Sequence, residues 1–403
     1  MTERKGITGK YLFVVLAMCG FSCGAYGIVM NKAGVFFTPI AQEFNVGKGA
    51  VSMTLTIASI SMALSGLLVP KLLKEKSLKV LFIAATALMA LSTIAMAMSH
   101  SLFLLYIENG IRGFGAGLIS YVTISIFVNH WFYAKHGLIT SITMGFSGIS
   151  GAILSPLFTA LISSIGWRST YLVSSVLFIV FILPAVLLPF TIKPENSGLK
   201  AYGIELRKES SVLQEQQPQG SAASFILVCA VAVSSNIVIG IVQHLPSFAL
   251  SIGSTAEAGA FLLSLALIGN IASKLIAGTL ADSLGTRNSL LIISGLFLLA
   301  VVLLLISKNL ILLDLGALLL GCGYGIGAVG TTLMTKSLFG VEGFTHVYPT
   351  VAFVSSISYA LATTGIGYLF DMTGSYALSI EICLVLCILL IVCILIAYRG
   401  RKD

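Results

Sequence analysis

The chain has 403 residues, is 57% hydrophobic and only 9% charged, and carries a formal net charge of +8. Soluble domains carry about 25% charged residues, so this much apolar surface has no aqueous fold to hide in, and its solvent must be largely lipid. The positive excess does not read as a nucleic-acid surface, because Lys and Arg fall in short clusters between apolar runs, the pattern of cytoplasmic loops in a membrane protein.

A backbone in lipid must satisfy its own hydrogen bonds, which leaves helices or a closed barrel. Unbroken apolar runs such as 290–307 and 377–397 lack the alternation of a barrel. With about 20 apolar residues needed per span, the pattern predicts helices near 11–39, 48–70, 79–98, 102–130, 137–163 and 169–191. A second set is predicted near 222–250, 256–281, 288–306, 310–338, 343–370 and 375–398. The run from Tyr11 is too long for a signal segment and has no small-residue cleavage site, so it reads as the first span. One set of alternate loops holds Arg4, Lys5, Lys10, Lys71, Lys74, Lys76, Lys79, Lys135, Lys193, Lys200, Arg207, Lys208, Arg287, Lys336, Arg399, Arg401 and Lys402. The other set holds little beyond Lys48, Arg168 and Lys308. This asymmetry predicts an even span count, both termini in the cytoplasm and a multi-pass protein of the plasma membrane.

The stretch Lys193–Ser221 mixes both charges with Gln, Pro and Ser and has no apolar period, so it reads as a solvated linker. It divides the chain into an N-terminal six-helix half (1–191), a linker (192–221) and a C-terminal six-helix half (222–403). Two six-span halves are the sign of an internally repeated transporter with its substrate site between the halves, near mid-bilayer. The 40 glycines cluster within spans, as in RGFGAG (Arg112–Gly117) and GCGYGIGAVG (Gly321–Gly330), where small residues let helix backbones approach. The seven cysteines lie in apolar runs with no metal-ligand spacing and read as small apolar fillers. No phosphate loop, metal cluster or nucleophile elbow is present, so neither enzyme activity nor a cofactor or metal is expected.

The strongest functional signal is Lys274, an ionisable residue inside an apolar span. It stands eight residues before Asp282, about 12 Å along a helix, which places it near the midplane as an anion contact. Glu108 and Arg112, at i and i+4 on the fourth span, are expected to pair, with protonation of Glu108 freeing Arg112 as a coupling device. Asn236, Gly240 and Gln243 share one face of the seventh span, and His244 and Pro246 follow, the proline loosening the helix there. His244 is a candidate to bond an anion or carry a proton. Asn31 and Lys32 lie toward the outer end of the first span, where Lys32 is expected to snorkel rather than line the vestibule. Tyr121, Tyr348 and Tyr359 are candidate hydroxyl donors.

Gly278, Asp282, Gly285 and Arg287 match the G-x-x-x-D-x-x-G-x-R loop of the major facilitator superfamily, which the chain resembles. The resemblance implies an all-α membrane protein with twelve transmembrane helices in two six-helix pseudo-symmetric bundles, and it assigns these four residues to a gating loop. The equivalent first-half loop is degenerate: Gly66 is kept, but Pro70, Leu73 and Glu75 stand at the Asp, Gly and Arg positions. Arg112 sits where the superfamily often has a fourth-span Arg. The stretches WFYAKHGLITSIT (Trp131–Thr143), GWRSTY (Gly166–Tyr171), PENSGLKAYG (Pro194–Gly203) and QHLPSFALSIG (Gln243–Gly253) resemble the oxalate:formate antiporters and bacterial monocarboxylate-transporter-like proteins. That family places a basic residue at the Lys274 position to meet a substrate carboxylate, a His at the His244 position, and a second basic residue in span eleven. Span eleven here shows Val354, Ser355 and Ser356 and no Lys or Arg, which implies a monoanion rather than oxalate.

The expectation is a secondary transporter of a small carboxylate. Substrate contacts are expected from Lys274, Arg112, His244, Gln243, Asn236 and Tyr121, and coupling through Glu108 and Arg112 to protons or a counter-anion. Its partners would be the substrate and the lipid bilayer, with no nucleic acid, and its expected state is a monomer. The alternative is a proton-driven exporter of drugs or other amphiphiles. Such an exporter usually carries a glycine-proline motif in span five, which Gly145–Pro156 matches only loosely.

Overall fold

A computed structural model describes residues 9–74, 77–133, 136–187, 191–204, 220–307 and 309–399. Arg4, Lys5, Glu75, Lys76, Lys135, Arg207, Lys208, Lys308, Arg401 and Lys402 lie outside these residues, as does 205–219 of the linker.

The described chain is helical, and its one β-type contact is an isolated parallel bridge between Phe132 and Tyr202. Among the described residues, eleven stretches are long and apolar enough to cross a membrane. The longest, Leu138–Leu187, is broken at Gly166 (φ 78°), so it supplies two spans and the total reaches twelve. Gly166 takes the left-handed backbone region that a residue with a side chain rarely adopts. The chain is therefore a multi-pass, all-α membrane protein.

Eight spans are continuous helices, and four are not. The first runs through α1 (Gly9–Ser22), a π-helical stretch (Cys23–Asn31) and α2 (Gly34–Phe44). The second and third are α3 (Lys48–Leu72) and α4 (Leu78–Met98). The fourth breaks between α5 (Leu102–Leu118) and α6 (Tyr121–Trp131), where Ser120 is extended. The fifth and sixth form α7 (His136–Leu187). The seventh passes from α8 (Ala222–Ile239) through a 3₁₀ turn (Gly240–His244) into α9 (Leu245–Ser251). Pro246, which lacks an N–H, sits in the first turn of α9, so the loosening expected from this proline is present. The eighth and ninth are α10 (Ala256–Leu284) and α11 (Thr286–Ile306). The tenth runs α12 (Leu310–Leu320), α13 (Cys322–Gly325), a π stretch (Ile326–Gly330) and the start of α14 (Thr331–Thr373). Gly340 (φ 69°) divides α14, and the remainder is the eleventh span; α15 (Ala377–Ala397) is the twelfth.

The broken spans are thus the first, fourth, seventh and tenth. A break at every third span is a structural echo of internal repetition. Irregular backbone at membrane depth is tolerated only where protein buries it or a wet cavity takes up its polar groups. By that rule the irregular stretches of these four spans need polar partners supplied by the protein around them.

The described residues form two compact units. One contains 9–31, 57–154 and 161–204; the other contains 32–56, 155–160 and 220–399. The second unit therefore includes two pieces of chain that precede the linker.

In the first unit, close approach is made by glycine. A Cβ added at Gly113 would run into the backbone of Ala58, and one at Gly117 into the Met62 carbonyl and Ser65. This seats α5 directly on α3. The polar stretch after the sixth span is docked rather than solvated from its start. Tyr202 N–H donates to Trp131 O at 2.8 Å, Tyr133 N–H to Tyr202 O at 2.9 Å, and Trp131 Nε1–H to Thr191 O at 2.9 Å. The Tyr11 ring packs against Trp131, Phe132 and Tyr202, and its hydroxyl donates to Lys200 O at 2.6 Å. Residues 191–204 are a strap tying the ends of the first and fourth spans together.

In the second unit, α15 shows how a lipid-facing helix is built. Ile380, Cys383, Cys387, Leu390 and Ile394 are buried, while Leu378, Ile382, Val385, Leu389 and Val392 are exposed. Both series step by three or four residues, so one stripe packs on protein and the other meets acyl chains. Cys383 and Cys387 are free thiols packed in the buried stripe.

Gly269 on α10 and Gly321 before α13 lie face to face, and a Cβ at Gly269 would overlap the Leu318 carbonyl oxygen. Backbone cannot retreat as a flexible side chain can. Gly269→Val is expected to destabilise the protein by about 1–3 kcal/mol, read as a lowered thermal-unfolding midpoint in detergent, whereas Gly295→Val, where a Cβ meets nothing within 4 Å, should leave it unchanged.

Candidate functional site

The eighth span, α10, carries Lys274 well inside its 29 residues. Its neighbours Asn270 and Ser273 are buried, and Lys274 itself is half-buried. Among the described residues, no hydrogen bond or ion pair engages the Lys274 ammonium. One turn earlier, the buried Asn270 Oδ1 also lacks a hydrogen-bond partner. Ser273 donates to the Gly321 carbonyl at 2.9 Å, which fastens this turn of α10 to the broken tenth span. The result is a rigidly held turn with an uncompensated cation and an unsatisfied amide.

Lys32 is the second cation of the same unit, and here the snorkelling expectation is overturned. Lys32 is 1% exposed, and its ammonium lies 4.1 Å from the Phe36 ring centroid and 4.7 Å from that of Phe158. Two aromatic faces replace the headgroup water that snorkelling would have sought. Sequence reading passed over Phe158 because it is one phenylalanine among 23.

In the first unit, Arg112 and Glu108 do not form the expected ion pair. Arg112 Nη2 donates to Asn109 Oδ1 at 2.5 Å, and the guanidinium lies 5.8 Å from the Tyr171 ring centroid. Arg112 Nε and Nη1 are buried without partners, and so is Glu108 Oε2. Asn109, one residue on, intercepts the guanidinium at i−3, a spacing as close as i−4 on a helix. Tyr121 starts α6 just past the break in the fourth span. Its hydroxyl and the Ser147 hydroxyl are 2.8 Å apart, and its ring stacks on Tyr26 at 3.6 Å. Asn31 Nδ2–H donates to the Ser147 carbonyl at 2.8 Å, so breaks in the first and fourth spans meet at one serine.

The polar residues of the seventh span meet different partners. Asn236 donates to its own Ala232 carbonyl at 2.8 Å and lies against the π stretch of the tenth span, next to Gly327. Gln243 instead accepts from the Gly34 N–H at 3.2 Å, with its Nε2 buried and unpartnered. The Tyr359 hydroxyl neighbours the Gln243 and Tyr324 side chains. His244 is fully buried and both ring nitrogens are engaged: Nε2 lies 2.7 Å from the Thr363 carbonyl and Nδ1 3.3 Å from the Tyr376 hydroxyl. A carbonyl only accepts, so the proton is on Nε2, and Nδ1 accepts from Tyr376.

The signature loop sits where α10 passes into α11. Gly285 (φ 83°) ends one helix and starts the next, the positive φ that glycine permits. Gly278 has open space around it, Asp282 is exposed, and Arg287 has a buried Nε without a partner. The Thr332 hydroxyl donates to the Tyr348 hydroxyl at 2.9 Å. Among the described residues no cluster of His, Cys, Asp and Glu has the geometry to hold a metal ion.

Against known proteins, the model of the Major Facilitator Superfamily matches residues 12–363. The chain is 23% identical over 390 residues to an uncharacterized MFS-type transporter, YcxA, of Bacillus subtilis (strain 168), covering 93% of this chain and 91% of YcxA. It is 25% identical to monocarboxylate transporter 13 of Bos taurus, over 91% of this chain and 84% of that protein. It is also 25% identical to monocarboxylate transporter 12 of Homo sapiens, over 75% of this chain and 63% of that protein. Among solved structures, the nucleoside transporter NupG superimposes with a TM-score of 0.71 at 11% identity, over 96% of this chain and 100% of NupG.

The half-buried Lys274 and the buried Lys32 should respond differently to removal. Lys274→Gln deletes an uncompensated charge and is expected to leave the unfolding midpoint unchanged or raise it. Lys32→Ala removes a cation held by two rings along with a buried stem, and is expected to destabilise by about 2 kcal/mol. Thermal unfolding of both variants in the same detergent checks the contrast.

Proposed function

The chain belongs to the Major Facilitator Superfamily, and from that premise we propose that it carries a small monocarboxylate across the plasma membrane by alternating access. The family and its relatives make it a transport protein and not an enzyme. The single observation that carries the substrate class is Lys274, a half-buried ammonium in a spanning helix with no counter-charge among the described residues. In a medium of effective dielectric constant about 20, an ammonium and a carboxylate 4 Å apart attract by about 4 kcal/mol, against about 1 kcal/mol in water. A carboxylate is therefore the ligand that this turn of α10 lacks.

One carboxylate suffices. Lys32 is also buried, but its charge is met by the faces of Phe36 and Phe158, so it makes no comparable demand for a second anion. Two relatives are monocarboxylate transporters by name, which agrees with this class. In this reading the halves are 1–191 and 222–403, joined by 192–221, with both termini cytoplasmic and the monomer as the working unit. Arg112, Tyr121, Asn236 and Gln243 line or support the path. Glu108 and Arg112, each with buried atoms lacking partners, take part in coupling to a proton or a counter-anion. Gly278, Asp282, Gly285 and Arg287 form the gating loop. His244, with both nitrogens occupied, meets no substrate in this conformation.

The test is uptake of a labelled monocarboxylate panel into proteoliposomes, with and without an inward proton gradient or internal carboxylate. Gradient-stimulated uptake identifies symport, and uptake that requires internal carboxylate identifies exchange. Lys274→Gln is expected to reduce initial uptake at least tenfold, while Lys274→Arg retains a measurable rate because the charge is kept. Uptake undiminished in Lys274→Gln would remove the anion role from this residue. Absence of carboxylate uptake under every condition would turn attention to export of amphiphiles.

A further inference from the structure

The amides that open a helix have no partner within it, and the opening of α3 finds one 323 residues away. Lys48 N–H donates to Asp371 Oδ1 at 2.8 Å, and Gly49 N–H to Asp371 Oδ2 at 2.7 Å. Asp371 stands in the last turn of α14, the eleventh span. A carboxylate on a helix N-terminus combines charge-assisted hydrogen bonds with the positive end of the helix dipole. The fit leaves no room for side chains: a Cβ at Gly47 would strike the Asp371 carboxylate, one at Gly49 the Tyr368 side chain and backbone, and one at Gly367 Gly49 and Ser52.

The contact continues in two directions. Along α3, the Thr56 hydroxyl reaches the Ala360 carbonyl and the Thr364 hydroxyl. Sideways, the Lys48 ammonium lies 4.0 Å from the Phe370 ring centroid, and Phe370 stacks on Tyr376 at 4.5 Å. Tyr376 donates to His244, whose ring lies 5.3 Å from that of Phe37 in α2. Neighbouring contacts join Gly34 to Gln243, Thr38 to Ser247, and Ser155 to the Ala260 carbonyl. All of these lie in one compact unit, and all but the Phe370–Tyr376 and Tyr376–His244 contacts join residues before the linker to residues after it. Among the described residues the seam is built of close glycine contacts, single hydrogen bonds and ring contacts, with Asp371 as a charged fastening that takes two amides.

We propose that Asp371 on the α3 N-terminus is the latch of a gate at the end of the spans that carries Lys48, and that Tyr376 and His244 connect this latch to the break in the seventh span. The proposal rests on the transporter reading, because alternating access requires the chain before the linker to part from the chain after it on this side once per cycle. It also gives His244 a task other than contacting substrate: the imidazole bridges Tyr376 beside the latch to the Thr363 carbonyl within α14. The residues between Lys48 and Thr56 then form the moving face, and Asp371 the fastening that must let go.

Hydrogen–deuterium exchange of the full-length protein in nanodiscs tests this without any substrate, so a wrong substrate class and a wrong latch fail separately. Asp371→Asn removes the charge; Gly47→Ala keeps it but blocks its approach. In both variants, peptides covering 34–41, 48–56, 240–247 and 360–371 are expected to exchange at least tenfold faster than in the wild type, with α4 to α6 unchanged. Unchanged exchange at 48–56 in both variants overturns the proposal. So does faster exchange confined to the first turn of α3, which would make Asp371 a helix cap and nothing more. Gly47→Ala decides the matter if Asp371→Asn does not fold.

Discussion

A polypeptide in lipid has no water to satisfy its N–H and C=O groups, and everything else in this structure depends on that. The requirement makes every span helical, and it makes each departure from helix costly unless protein or trapped water supplies partners. Four departures survive, at the first, fourth, seventh and tenth spans, and each is bonded to something. Asn31 reaches the Ser147 carbonyl, Gly34 reaches Gln243, and Ser273 holds the carbonyl of Gly321. The breaks are sites where polar side chains and freed backbone groups were brought together.

Charge in the same medium follows the same logic, with three different outcomes. Lys32 is enclosed by two aromatic faces, and Arg112 is met in part by an asparagine and a tyrosine ring, with Nε and Nη1 left unpartnered. Lys274 has neither. An ion withdrawn from water without compensation is a standing cost to the fold, and the proposed anionic substrate would relieve it at Lys274. This contrast, more than the presence of any one basic residue, supports the assignment of an anionic substrate.

Histidine 244 illustrates how environment changes a reading. As a lone His after a polar helical face it looked available to an anion or a proton. In the fold it is a linker between Tyr376 and Thr363, packed on Phe37. The carboxylate beside that cluster, Asp371, drew no attention in the sequence because it stands near a helix end, where acidic residues are common. Its importance comes from the amides it meets on α3, which only the folded chain brings to it.

The amino-acid sequence by itself determined the class of solvent, the number of spans, the membership in a transporter family and the position of the outstanding cation. These follow from local properties: apolar run length, the distribution of Lys and Arg, and a loop motif of glycines and charges around Asp282 and Arg287. Apart from the loosening at Pro246, it did not determine where helices break, since a π stretch such as Cys23–Asn31 has the same apolar character as the α-helix before it. Nor did it determine partners. Glu108 and Arg112 had the spacing for an ion pair, yet Asn109 takes the guanidinium, and Lys32 had the length to snorkel, yet Phe158 holds it more than a hundred residues away in the chain. Partner choice is settled by groups remote in sequence whose separation is fixed only when helices pack, so it belongs to the tertiary structure alone.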